Sequence, residues 1–212
     1  RLQSEYSAVE TAVDSIAGDE TLVPIDNNVQ TVRDLEASFK HGACTRKLLK
    51  HELSFTAKHN IEDVWDFYNK TGPNKVFKDK LVSFALMLSK ANEKEVLYKE
   101  EQFSNAEIGQ VYFMNLNILR GLIQIAVSYE IVEINETEKF FEFSYIKGGK
   151  STGLQRVSLV EVAPNQTKII HTTHYRSKSD FRDRYMYPYF HTKVLQEYHL
   201  NMIEYIGRKL AG

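Results

Sequence analysis

The chain has 212 residues, 42% apolar and 26% charged, enough to bury a sizeable core without a metal or a disulfide. Lys and Arg number 27 against 28 Asp and Glu; a net charge of −1 lacks the basic excess of a general nucleic-acid binder, so no nucleic-acid partner is expected. Cys44 is the only cysteine, which excludes an internal disulfide and a cysteine-rich zinc site.

Residues 1–49 differ in texture from the rest. Of 25 aromatic residues (12 Tyr, 12 Phe, 1 Trp), only Tyr6 and Phe39 lie there. Ala8, Val9, Ala12, Val13 and Ile16 have helical spacing, and Gly18-Asp19 ends the pattern. A second short helix is expected at Thr31–Phe39, with Val32, Leu35 and Phe39 on one face. This segment reads as a helical arm that packs on the main domain or on a neighbour.

From residue 50 onward one domain is expected, reaching residue 212. Leu53–Ala57 alternates as a strand. Asn60 caps a helix whose stripe is Ile61, Val64, Trp65 and Tyr68. Phe77, Leu81, Phe84 and Leu88 fall at spacings of three and four, which predicts a second helix over Val76–Lys90. Six strands follow, at about Glu95–Phe103, Gln110–Ile118, Leu122–Asn135, Lys139–Lys147, Leu154–Ala163 and Lys168–Ser177. Their joints carry turn residues, and joints this short make the pairs antiparallel. Ile123, Ile125, Val127, Tyr129 and Ile131 alternate with Gln124, Ala126, Ser128 and Glu130, which predicts one buried and one wet face. Phe181–Met186 reads as a helical turn ahead of a long helix that starts at Pro188 and ends near Leu210.

This element order resembles the START-like superfamily, also called SRPBCC or Bet v 1-like, with its helix-grip fold. The likeness lies in three places: the strand running into Asn60-Ile61-Glu62-Asp63-Val64-Trp65, the hairpin from Phe143-Ser144-Tyr145 to Gly153, and the terminal amphipathic helix. The resemblance implies an α+β fold, a seven-stranded antiparallel sheet curved around the C-terminal helix. It also implies a binding site for a hydrophobic small molecule: a lipid, a sterol or a polyketide-like compound. Neither a cofactor nor a reaction is implied.

Candidate liners of such a cavity are Tyr112 and Met114 on one strand, Tyr129 on the next, Phe143 and Tyr145 on the third, His171 and Tyr175 on the last, and Tyr198 and Met202 on the helix. An inward His171 could polarise a bound carbonyl or phenol. That leaves open a cyclase or dehydratase with His171 as base and Tyr129 or Tyr145 as proton donor. A structural or interaction protein with a filled gap also stays open, the arm then mattering most.

His171 and His174 are three apart on a strand and face opposite sides, so they do not chelate one ion, and no metal is expected. His191 and His199, eight apart on the helix, differ in direction by roughly 80°, which predicts separate, solvated side chains. The string Gly149-Lys150-Ser151 joins two strands, so it reads as a hairpin and not a phosphate loop. The aromatic run Phe181–Phe190 reads as a plug at one end of the gap or as a lid at its mouth, where Arg182 or Arg184 meets a polar ligand head. No apolar run is long enough to cross a membrane; Leu116–Val132 is interrupted by Asn117, Arg120, Gln124 and Glu130. The expectation is a soluble, cytoplasmic protein, with a removed targeting segment ahead of Arg1 left open. The oligomeric state is not legible.

Overall fold

The structure is a computed structural model that describes residues 31–77, 81–92, 95–99, 101–118 and 123–211. The helix expected near the N-terminus lies outside the described residues. Eight antiparallel strands form one sheet: β1 (Leu49–Ala57), β2 (Val82–Ser89), β3 (Val96–Tyr98), β4 (Gln110–Ile118), β5 (Ile123–Asn135), β6 (Phe140–Tyr145), β7 (Thr152–Ala163) and β8 (Gln166–Arg176). Their order across the sheet is β1-β8-β7-β6-β5-β4-β2-β3. Helix α1 (Ile61–Lys70) and the short α2 (Pro73–Val76) connect β1 at one edge to β2 near the other. A π-helical turn, Arg182–Met186, runs directly into the long helix α3 (Tyr187–Ala211), with Pro188 in its first turn, where the missing N–H costs little.

Local chemistry sets these elements. The Asn60 side chain accepts from Asp63 N at 2.8 Å and so caps α1, whose Val64, Trp65 and Tyr68 are buried. Burial alternates strictly along β8, with Thr167, Ile169, His171, Thr173 and Tyr175 inside. Gly153 is obligatory: its φ is +152°, and a Cβ there would stand 2.0 Å from the His174 carbonyl oxygen.

Three expectations need correction. The sheet has eight strands and not seven, because Val82–Ser89 is a strand and not part of a helix over Val76–Lys90. A β-bulge between Phe84 and Leu86 is the reason. Val82 and Phe84 face in, then Met87 and Ser89, so the bulge widens one inward spacing from two to three and imitates helical periodicity. Second, Thr31–Phe39 forms only a three-residue 3-10 turn, Val32–Asp34. Beyond Leu35 the chain extends over the outer face of the sheet: Ser38 N donates to the Tyr145 carbonyl at 2.7 Å, Lys147 N to that of Glu36 at 2.7 Å, and Phe39 N to Ser144 Oγ at 2.9 Å. Third, the outer face is therefore not uniformly wet. Glu142 is 3% exposed and holds Arg156 Nη2 at 2.6 Å and His41 Nδ1 at 2.5 Å, and Glu130 accepts from Lys90 Nζ at 2.7 Å.

Candidate functional site: a cavity under the long helix

Between the concave face of the sheet and the N-terminal half of α3 lies a cavity of about 220 Å³. Its floor is apolar and aromatic, built from Met114, Leu116, Val127 and Phe143 on adjacent strands; Phe190, Val194 and Tyr198 of α3 form its roof. Tyr112 stacks on Tyr129 with ring centroids 5.3 Å apart, and Tyr129 meets Phe143 edge-on at 5.6 Å. The hydroxyls of Tyr129 and Tyr198 make no hydrogen bond to a described residue, so both can serve a guest. Burial, first of all, holds both far above the ordinary tyrosine range, and both keep their protons.

One wall is polar. His171 Nε2 lies 3.0 Å from Gln155 Oε1, His171 Nδ1 lies 2.9 Å from His199 Nε2, and His199 Nδ1 lies 2.7 Å from the Tyr68 hydroxyl. We assign the protons from the end of the chain. The buried Tyr68 hydroxyl has no other partner among the described residues, so it donates to His199 Nδ1; His199 Nε2–H then donates to His171 Nδ1, and His171 Nε2–H to Gln155. The opposite direction would leave the Tyr68 proton without an acceptor. Both rings are neutral in this scheme. Burial pushes His199 down to about 3, with His191 adding to it, and pushes His171 well below its usual value, with His199 and His51 adding. Next to them His191 Nδ1 lies 3.1 Å from His51 Nδ1, and His51 Nε2 lies 3.0 Å from Thr192 Oγ1. Among the described residues no group of three or more His, Cys, Asp or Glu is arranged to hold a metal.

At the end of the cavity nearest the Gly148–Gly153 hairpin, the Tyr145 and Tyr187 hydroxyls meet at 2.5 Å, and Tyr187 stacks on Tyr175 at 3.7 Å. Burial raises Tyr145 to about 12, against the lowering effect of the Tyr187 hydrogen bond and of the Arg182 charge. Arg182 reaches in from the π-helical turn, donating through Nη1 to the Lys150 carbonyl at 2.5 Å and through Nη2 to Ser151 Oγ at 2.8 Å.

A sheet gripping one long helix recurs among solved structures. Norcoclaurine synthase of Thalictrum flavum, a point mutant in complex with a transition state analogue, superposes with a TM-score of 0.56 at 10% identity, covering 76% of this chain and 95% of that one. The same enzyme in complex with dopamine and hydroxybenzaldehyde gives 0.55 at 10% identity, over 77% and 90%. The major latex-like protein of Panax ginseng gives 0.53 at 15% identity, over 74% and 96%. This chain has the Bet v 1-like, helix-grip fold. No family model matches the sequence, and no curated protein matches it.

Within the helix grip, Tyr112, Met114, Tyr129, Phe143, Tyr145, His171 and Tyr198 converge on the cavity. Tyr175 and Met202 do not reach it. Tyr175 faces inward but lies behind Tyr187, its hydroxyl donating to the Asp183 carbonyl at 2.7 Å, and Met202 is fully buried in the packed cluster around Trp65. The expectation for His191 and His199 is overturned. Neither is solvated, and both rings meet His171 edge-on, His199 at 5.1 Å and His191 at 6.0 Å; His199 bonds His171 on β8, His191 lies against His51 on β1, and His199 has no exposed surface. The run Phe181–Phe190 divides: Met186 and Tyr187 are buried against the cavity, while Phe181, Tyr185 and Tyr189 face outward. Sequence reading missed Gln155, His191, Lys150 and Ser151 as cavity residues. For Gln155 the signal was available, since it faces the same side as Val157, two residues on in β7. The gap is not filled by side chains, and among the described residues no helix is long and apolar enough to cross a membrane.

Proposed function

We propose that this chain binds a hydrophobic small molecule in the cavity between the sheet and α3. The observation that carries the reading is the cavity itself: about 220 Å³, walled by aromatic and aliphatic side chains, with polar groups gathered on one wall and at one end. An engineered apolar cavity of about 150 Å³ is enough for benzene, and drug-sized pockets begin near ~300 Å³. A guest of one or two rings, or a short acyl chain, therefore fits as the walls stand; a full sterol needs them to open. The Tyr129 and Tyr198 hydroxyls, without a partner among the described residues, supply hydrogen bonds to an oxygen on the guest. The two bound partners of one neighbour in this fold, dopamine and hydroxybenzaldehyde in norcoclaurine synthase, are of this size class.

Two features weigh for binding over acid–base chemistry at His171. Both of its ring nitrogens are engaged, by His199 and by Gln155, so no lone pair is offered to the cavity. Tyr129, Tyr145 and His171 face the same space, yet none of the three is hydrogen-bonded to another. The test is titration of the purified chain with the neutral fluorophore N-phenyl-1-naphthylamine, beside native mass spectrometry before and after organic extraction. Saturable, displaceable fluorescence enhancement at one site per chain is expected. A linear, non-saturating response together with a bare-chain mass would contradict the proposal.

A further inference from the structure

Among the described residues lining the cavity there is no Asp and no Glu, whereas two cations, Arg182 and Lys150, stand together at the hairpin end. Arg182 is half-buried, and no described carboxylate pairs with it. Among the described residues its two hydrogen bonds go to a carbonyl and to a hydroxyl, which supply no negative charge and leave three of its five N–H groups without a described partner. The neighbouring carboxylate, Asp183, turns away from the cavity: its Oδ2 accepts from Ser177 N at 2.8 Å at the end of β8. The charge of Arg182 is felt inside, where it works against burial to lower both Tyr145 and Tyr187. A half-buried guanidinium facing an apolar space without a counter-ion is costly unless something else supplies the negative charge.

We propose that Arg182, with Lys150 beside it, is the head-group site for an amphipathic monoanion: a small aryl or acyl carboxylate whose apolar body lies among Met114, Tyr129, Phe143 and Tyr198. This deepens, and rests on, the binding reading above. The carboxylate takes the free N–H groups of Arg182 in a charge-assisted pair at the wetter end of the cavity, and the hairpin hydrogen bonds hold the guanidinium in place. The same wall rejects ammonium ligands, because nothing acidic lines it. Arg184, the other arginine of the turn, does not line the cavity and has no part in the site.

The test uses the full chain, isothermal titration calorimetry at neutral pH, and three probes with one ring system: 2-naphthoate, 2-naphthalenemethanol and 2-naphthylmethylammonium. Naphthoate is expected to bind at least about tenfold more tightly than the alcohol, and the ammonium most weakly. Arg182→Gln should bring naphthoate down to the level of the alcohol while leaving the alcohol unchanged within about twofold. Lys150→Gln, at an exposed position that cannot endanger the fold, should weaken naphthoate by about threefold. Equal affinities for naphthoate and the alcohol in the unmodified chain would overturn the anion site and leave the cavity reading intact. So would a folded Arg182→Gln variant that keeps the preference. Failure of all three probes to bind would overturn the cavity reading, and this one with it.

Discussion

Under the C-terminal half of α3, Met202 and Ile206 pack with Trp65, Phe141 and Ile169 into one buried cluster. Under its N-terminal half, Val194 and Tyr198 face Met114 and Tyr129 across a cavity of about 220 Å³. The same helix and the same sheet make both regions, so neither strand count nor helix length explains the difference. Helix α1 does. It lies against β7, β8 and α3 and supplies Val64, Trp65 and Tyr68 to the packed region. In the hollow region the short α2 gives only Pro73, α1 reaches the edge through Tyr68 alone, and strand, loop and α3 side chains supply the rest around a space. A curved sheet leaves room under its helix by default, and a second helix decides how much of it is closed.

Paired substitutions of one chemical kind separate the two regions. Met202→Ala removes a side chain with no exposed surface from the packed end and is expected to cost about 2–5 kcal/mol. Met114→Ala deletes the same atoms at the edge of a space that already exists, so fewer contacts are lost; about half that cost, or less, is expected. Urea unfolding of both variants checks the pair, and equal costs would mean that the hollow end is packed as tightly as the other.

The histidines at the boundary give the next largest effect. His199 takes up a proton near 6.5 in the unfolded chain but only near 3 in the folded one. Between these values the unfolded state holds more protons, so the stabilisation is whole above 6.5 and is lost as the pH falls below it. For His199 alone the loss between pH 7 and pH 5 is about 2 kcal/mol, and His171 and His191, depressed in the same direction, add to it. Urea midpoints at the two pH values test this, and His199→Gln should flatten part of the slope. Val194→Trp, which puts a ring into the hollow end, should cost no more than about 1–3 kcal/mol of stability yet abolish binding of a neutral naphthalene probe. The smallest effect belongs outside the cavity. Tyr185 is 63% exposed, and Tyr185→Ser should move the unfolding midpoint by less than the equivalent of about 0.5 kcal/mol and leave probe binding as it is.

Much of the fold was legible because several elements keep one period from end to end. β8 alternates without interruption, and α1 begins on a good cap; both were readable from residue order alone. β2 was not, because one bulge changes its inward spacing and a strand with a bulge presents the pattern of a helix. The candidate site divides in the same way. Residues with a strand parity, such as Tyr112, Met114, Tyr129 and His171, could be placed on the concave face by alternation. His191 and His199 could not, since what matters is the strand beneath each, and only the pairing of β1 with β8, which sets His51 opposite Thr173, brings His51 and His171 onto one diagonal under the helix. Met202 carries the apolar periodicity of a cavity liner, but whether that stripe meets space or meets Trp65 depends on where α1 lies. Arg182 could be placed at the mouth of a gap; that its charge goes unmatched there required the whole wall to be seen.

The central claim, an unfilled apolar cavity that takes a small guest by its body and an acidic head by Arg182, is tested most directly by a crystal structure of the chain grown with 2-naphthoate. The expected result is ring density between Met114, Tyr129 and Tyr198, with the carboxylate within hydrogen-bonding distance of the Arg182 guanidinium. A cavity closed by its own side chains, with the ligand absent or lying on the outer surface, would contradict it.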